Sequence, residues 1–264
     1  MKICAIGDPH GDLEKIKKIP LSDIDLILVT GDLANSDIIR KAFFEAKEKG
    51  TTDFRKAFSK EELNKLYSKF VISAREVIRY LASFGKPVYF VYGNLFGMDY
   101  CIMSKCVDQN KLNIPDFEKE IKKYGNAKNT GLLELGSNNL RIAGVPYYDS
   151  KDWIREFDTE DEEKKEFAGW QEPKVNDFLK KLTSAEILLT HIPPFGILDK
   201  VNFPGAPKHW QGRHAGSRAV LNYIKSNSPR YVFCGHIHEG EGMKKVGRTE
   251  VYNLGVGGHK IIEL

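Results

Sequence analysis

The sequence predicts a mixed α/β sandwich, and three observations carry that prediction. Short apolar runs end repeatedly in Gly or Thr followed by a polar residue, long helical periodicity separates two of these runs, and paired strands appear further along the chain. Strand–helix alternation favours parallel pairing and hairpins favour antiparallel pairing, so a chain with both fits a layered mixed fold better than an all-parallel sheet. A length of 264 residues with 41% hydrophobic content is enough for a substantial core. No repeat, low-complexity tract or linker interrupts it, and the expectation is a single domain over residues 1–264 with a helical crossover inserted at about 35–86.

The elements follow in order. Ile3 to Gly7 and Leu26 to Gly31 are nearly continuous apolar runs bounded by turn formers, the pattern of strands buried on both faces. A helix is expected from about Asp37 to Lys49, with its Lys and Glu residues forming a solvated face. Ser59 and Glu62 make a capping box, after which Leu63, Leu66, Tyr67, Phe70, Ala74, Val77, Ile78 and Leu81 repeat at helical spacing until Gly85 and Pro87. Val88 to Gly93 is the third buried strand. Leu132 to Leu135 and Leu140 to Val145 flank a four-residue turn at 136–139 and read as a hairpin. The highly charged stretch from Asp149 to Glu172, with interspersed Trp and Phe, reads as a solvated surface helix or a lid-like excursion. Ile187 to Thr190 and Tyr231 to Gly235 are further buried strands, separated by a helix from about Ser217 to Ser226. Strands near Glu250 to Leu254 and Lys260 to Glu263 close the chain.

Charge and cysteine usage narrow the function classes. A formal charge of +4 from 40 basic and 36 acidic residues is a balanced surface; a nucleic-acid partner is compatible with it but not indicated by it. No segment approaches the ~20 apolar residues of a membrane span, so no membrane association is expected. Cys4 and Cys234 lie inside apolar runs as small hydrophobes, while Cys101 and Cys106 lack zinc-ribbon spacing. A reduced, cytoplasmic protein is the expectation.

Each buried run delivers polar residues at its C-terminal end, where open α/β sheets place their ligands. These residues are Asp8 and His10, Asp32, Asn94, His191, and His236 with His238. Alone, an Asp at a strand end is a turn former and a His is an ordinary half-buried residue. Together, five strand ends supply only carboxylate, imidazole and amide oxygen, and four of the seven histidines belong to the set. Strand periodicity of two is expected to direct Asp8 with His10, and His236 with His238, to the same side. Mixed Asp, His and Asn donors suit divalent Mn, Fe, Co, Ni or Zn better than a thiolate zinc site or an all-oxygen calcium cage. Seven donors exceed the needs of one zinc and divide between two ions about 3.5–4 Å apart, as in two-metal phosphatases and nucleases. Such a pair lowers the pKa of a bridging water and neutralises phosphoryl charge, which is the chemistry of phosphate-ester hydrolysis.

Asp8-Pro9-His10, Gly31-Asp32, Gly93-Asn94, Thr190-His191 and Gly235-His236-Ile237-His238 resemble the five motif blocks of the calcineurin-like metallophosphoesterases, in the family's order. The resemblance implies a four-layer α/β/β/α fold, two β-sheets covered by helices on both outer faces. It also implies that Asp8, His10, Asp32 and His238 hold one ion, that Asp32, Asn94, His191 and His236 hold the other, and that Asp32 bridges. The segment from His191 to Gly240 is similar to a subgroup containing animal metallophosphoesterase-domain proteins and small prokaryotic members. That similarity favours hydrolysis of a small-molecule phosphodiester by a hydroxide between the ions, with manganese among the candidate metals. The alternatives are a phosphomonoesterase or nucleotidase, and a non-catalytic metal-binding scaffold, against which the filled ligand positions count. The family's third block usually continues with a His that contacts phosphate, where this chain has Leu95. A missing general acid removes a factor of roughly 10²–10⁴ in rate. His214 is a candidate substitute donor, and His209 and Arg213 join it as candidate phosphate contacts.

Overall fold

The computed structural model describes residues 1–51, 53–94, 112–131, 134–137, 140–157 and 162–264. Strands β1 (Lys2–Ile6), β2 (Leu26–Val29), β3 (Val88–Phe90), β4 (Ala127–Asn129) and β11 (His259–Glu263) form one sheet in the order β11-β1-β2-β3-β4. Its pairs are parallel except β11, which runs antiparallel to β1. Strands β5 (Glu134–Ser137), β6 (Leu140–Val145), β7 (Ile187–Thr190), β8 (Tyr231–Cys234), β9 (Gly242–Val246) and β10 (Thr249–Asn253) form the other, in the order β5-β6-β7-β8-β10-β9, with antiparallel pairs at both edges.

Side-chain alternation along these strands generates three cores rather than one. Ile3, Ala5, Leu26 and Leu28 face Ile142, Ile187, Leu189 and Phe233 between the sheets. The alternate residues Cys4, Ile6, Ile27 and Val29 face α4 (Lys60–Ala82), which contributes Leu63, Phe70, Val77 and Leu81. On the other side Val145, Leu188, Val232 and Val251 meet Val175 and Leu179 of one helix and Val220 and Ile224 of another. The layers are therefore α/β/β/α, a mixed two-sheet sandwich flanked by helices.

The crossover between β2 and β3 comprises α2 (Ser36–Glu48), α3 (Phe54–Ala57) and α4. The capping box expected at Ser59 and Glu62 is present, and α4 buries its predicted stripe except Leu66, which is half-buried at the edge of the stripe. Three expectations change. β5 runs through Ser137, with Gly136↔Arg141 and Ser137↔Leu140 paired, so two residues rather than four lie between the hairpin strands. Pairing with Arg141 and Leu140 satisfies the backbone groups of Gly136 and Ser137, which outweighs their turn-forming composition. The charged stretch forms two helices, α6 (Lys151–Phe157) and α7 (Glu162–Lys181), not one solvated helix. α7 continues through Pro173 because Val175 and Leu179 beyond it are buried against the second sheet. α6 turns Trp153 and Phe157 onto Trp210, Ala215 and Ile237, so part of this stretch is core. The short elements α1 (Leu13–Ile16), α5 (Phe117–Lys122), β4 and β9 have no counterpart in the sequence reading, because so few residues show no period. The helix after β7, α8 (Arg218–Asn227), is capped by Ser217 as its sequence suggests. No described helix is long and apolar enough to cross a membrane.

Candidate metal centre

The chain turns sharply as it leaves the central strands, and those turns aim the polar groups. His10, Asp32 and His236 have φ of 45°, 37° and 64°, three of the five non-glycine residues with positive φ among those described. A side chain in that region costs on the order of 1–3 kcal/mol, a strain that persists only where the surroundings enforce it. The expected two-residue periodicity is thus not what orients these side chains. Strand geometry has ended by His10 and His236, and the two members of the last motif go to different places: His238 faces Asp8, while His236 faces Asn94. Glycine makes the close approach possible. A Cβ on Gly93 would lie 2.0 Å from Asp32 Oδ1, and one on Gly235 would lie 2.2 Å from Asp8 Oδ1.

Two groups of donor atoms result. In the first, His238 Nε2 lies 3.2 Å from Asp8 Oδ2 and 3.3 Å from His10 Nε2, and His10 Nε2 lies 3.9 Å from Asp32 Oδ2. In the second, Asn94 Oδ1 lies 3.0 Å from both His191 Nε2 and His236 Nδ1, and His191 Nε2 lies 3.7 Å from Asp32 Oδ2. Asp32 Oδ2 faces both groups. His191 also approaches Asp8, Nδ1 to Oδ1 at 3.6 Å, so Asp8, Asp32 and His191 form a cluster of their own. However, Nδ1 lies 3.0 Å from the Thr30 carbonyl, to which an Nδ1–H donates, and this leaves Nε2 as the nitrogen that faces Asn94 and Asp32.

The donor set fits divalent ions. Ligand atoms about 2.0–2.2 Å from a common centre stand roughly 3–3.6 Å apart, close to the separations within each group. Two imidazole nitrogens face each other across 3.3 Å, an arrangement favourable with a cation between them. Asp8 and Asp32 are 0% and 3% exposed, and buried carboxylates call for compensating positive charge. Asp8 is further fixed by the Thr30 hydroxyl at 2.6 Å and the His236 N–H at 2.6 Å.

The electrostatics agree. Burial opposes the charge on Asp8, but His191 beside it holds its carboxyl well below the ordinary range. Burial also opposes a charged His191, yet Asp8 and Asp32 outweigh it and raise the imidazole to about 9. His10 and His236 are pushed down, chiefly by burial, toward the neutral form that ligates metals. The proton on His191 does in the metal-free protein what a cation does better: it offsets two buried carboxylates.

The other candidates belong to neither group of donors. His214 Nδ1 pairs with Asp199 Oδ1 at 2.7 Å, and Asp199, almost wholly buried, also accepts the N–H groups of Gly196 and Gly216 through Oδ2. Arg213 is exposed and paired with Glu156 at 2.6 Å. His209 is exposed with its ring edge on Trp210, and lines neither group of donors. Leu95, Cys101 and Cys106 lie outside the described residues. Sequence reasoning missed Thr30, Asp199, Tyr147 and Trp153; the rings of Tyr147 and Trp153 pack 5.2 Å and 5.8 Å from that of His236. A Thr at a strand end and an Asp in a Gly- and Pro-rich loop carry no distinguishing pattern.

Comparison with known proteins bears on the same residues. The human metallophosphoesterase domain-containing protein 1 is 28% identical over 170 residues, 60% of this chain and 46% of that protein, and the mouse protein matches equally. A Caenorhabditis elegans protein, UPF0046 protein T07D4.2, is 38% identical over 69 residues, 26% of this chain and 15% of its own length. The chain thus spans about half the length of the mammalian relatives it matches. A solved crystal structure superposes with a TM-score of 0.62 at 19% identity, covering 99% of this chain and 98% of that one, which supports the fold. The sequence model described as calcineurin-like phosphoesterase matches residues 1–240, a span containing every donor described above, and the chain belongs to that family.

Proposed function

We propose that this chain hydrolyses phosphodiesters at a dinuclear metal centre. Asp8, His10, Asp32 and His238 would hold one divalent ion, Asn94, His191 and His236 would hold the other, and Asp32 would serve both. The observation that carries the reading is the convergence of seven donor side chains in two groups that share one Asp32 oxygen. When bound, the ions supply Lewis acidity, activating a water as nucleophile and offsetting charge on the phosphoryl oxygens. The chain's own residues orient and protect. Thr30 and the His236 N–H lock Asp8, the Thr30 carbonyl fixes the tautomer of His191, and Tyr147 and Trp153 pack against the His236 ring.

Hydrolysis forms a bond from the water oxygen to phosphorus and breaks the bond to the leaving oxygen, which must collect a proton. With Leu95 in place of the family's His, that proton comes from His214, whose ring Asp199 holds through Nδ1 so that Nε2 remains to serve the substrate. The reading treats residues 1–264 as one unit with 35–86 as a helical insertion, supported by β11 pairing beside β1. It places the protein in the reducing cytoplasm, supported by the free buried thiols of Cys4 and Cys234.

The test is calorimetric titration of metal-stripped protein with Mn²⁺, followed by turnover of an aryl phosphodiester and the matching monoester. About two ions per chain and preference for the diester are expected. Preference for the monoester moves the reading to a phosphatase or nucleotidase, and metal uptake without turnover of either ester moves it to a scaffold.

A further inference from the structure

A second feature lies beyond the metal centre. A cleft of about 330 Å³ opens between α6 and the loop that follows His191, lined by Trp153, Arg155, Phe195, Arg213, His214 and Arg218. Two acidic residues of α6 pin its guanidinium groups in place. Asp152 reaches Arg155 at 2.8 Å with one oxygen and Arg218 at 2.8 Å with the other, and Glu156 reaches Arg213 at 2.6 Å and Arg155 at 3.4 Å.

The aromatic surfaces of this cleft are largely in use. Arg218 lies 3.7 Å over the ring of Phe195, the ring of His214 leans on the same Phe195, and Trp153 is stacked on Phe157. Stacking of a nucleobase is therefore not what the cleft offers. Donors are. Three guanidinium groups carry about fifteen N–H donors against about eight carboxylate lone pairs, which leaves donors over. Three fixed positive charges against two negative ones leave a net positive charge. An arginine network held by carboxylates is preorganised for a planar or tetrahedral oxyanion.

Its position links it to the metal centre. Trp153 lines the cleft and packs against the ring of His236, so one indole separates the two. Asp199 braces the wall of the cleft, because it holds both the His214 ring and the Gly216 N–H. We propose that this cleft is a recognition subsite for a second anionic group, a phosphate or a carboxylate, carried on the leaving alcohol of the phosphodiester. The inference rests on the phosphodiesterase reading and narrows it: the substrate is an ester whose alcohol half is itself an anion.

The experiment compares three methyl aryl phosphodiesters in Mn²⁺-loaded protein, one with a nitrophenyl leaving group, one with a carboxylate added to that ring, and one with a phosphate added. KM is expected to be about tenfold lower for an anionic ring, with kcat less affected, and the ester with the larger gain identifies the oxyanion. Arg213→Gln and Arg218→Gln are expected to remove that advantage, so that KM for the anionic rings rises to that for the uncharged ring. Glu156→Gln, which frees positive charge, is expected to lower KM for the anionic rings further. A merely structural role for Glu156 could not produce that opposite sign. Equal KM for all three esters in the wild-type protein overturns the subsite and leaves the phosphodiesterase reading standing.

If no ester turns over, the phosphodiesterase reading fails, and the cleft is judged by titrating inorganic phosphate and benzoate into the metal-stripped full chain, where Asp8 and Asp32 repel anions from the metal centre. Binding weakened by Arg213→Gln and strengthened by Glu156→Gln then upholds an oxyanion site. Binding that is absent, or indifferent to both substitutions, overturns it.

Discussion

Asp32 is the residue on which both donor groups depend, and its backbone, at φ 37°, is held in a conformation that its side chain disfavours. Removing the carboxylate takes a ligand from each group at once, whereas removing His191 takes one ligand and the proton that offsets Asp8 and Asp32. Asp32→Ala and His191→Ala are each expected to lower turnover at least about 100-fold at saturating metal, with an unchanged far-ultraviolet circular dichroism spectrum. Retention of more than a few per cent of wild-type turnover by either variant would remove that residue from the centre. His214 calls for a different readout, because a proton donor matters in proportion to the basicity of the leaving oxygen. His214→Ala is expected to depress turnover of an alkyl diester by about 10- to 100-fold and leave an activated aryl diester nearly unchanged, and Asp199→Asn to do the same more weakly. An equal loss on both esters would assign His214 to structure. The converging donor groups were legible at this scale because few buried roles suit Asp, His and Asn at consecutive strand ends. Thr30 and Asp199 were not, since their importance lies in which atom they touch, Asp8 Oδ1 in one case and His214 Nδ1 in the other.

Among the elements, α4 was legible nearly to the residue, because a 23-residue helix repeats its apolar period several times and carries its own capping box. Leu66 marks the limit of that reading, since its spacing fits the stripe but it sits at the half-buried margin while Phe70 is fully enclosed. α6 shows the opposite case. Its charged residues suggested solvation, yet the same seven residues bury Ile154 and Phe157 and turn Trp153 toward His236. A composition average over a short helix cannot distinguish one wet face from two. The role of α4 is testable through Phe70→Ala, which opens a cavity against the outer face of the first sheet. It is expected to cost about 3–5 kcal/mol of stability in denaturant unfolding and to leave metal stoichiometry unaltered in the folded fraction. Loss of metal at full stability would place α4 in the metal centre.

For the whole molecule, the sandwich was foreseeable because the apolar runs of β1, β2, β7 and β8 are buried on both faces, which only stacked layers can satisfy. What the sequence could not convey is that the centre is assembled from the ends of both sheets, so that the charge of the site and the stability of the sandwich are one problem. Asp8 and Asp32 project from the first sheet and His191, His236 and His238 from the second, and the metal-free protein balances the two carboxylates with a proton on His191. The folded-state pKa of that imidazole, about 9, lies above the ordinary value of 6.5. Its contribution to stability is therefore complete below pH 6.5 and is lost as pH rises through 9, because over that interval the folded chain binds more protons than the unfolded one. The slope is on the order of 1 kcal/mol per pH unit. On the proposed metal assignment, Mn²⁺ is expected to replace the proton and remove the dependence, and since metal competes with that proton, its affinity is expected to rise over the same window. Thermal unfolding at pH 6.5, 7.5 and 9 is expected to show the metal-stripped protein losing stability with pH while the metal-loaded protein does not. The rise in Tm on adding Mn²⁺ should thus be smallest at pH 6.5 and largest at pH 9. A rise that is the same at all three would mean that His191 carries no proton for the metal to displace, and that the two buried carboxylates are balanced by some other group.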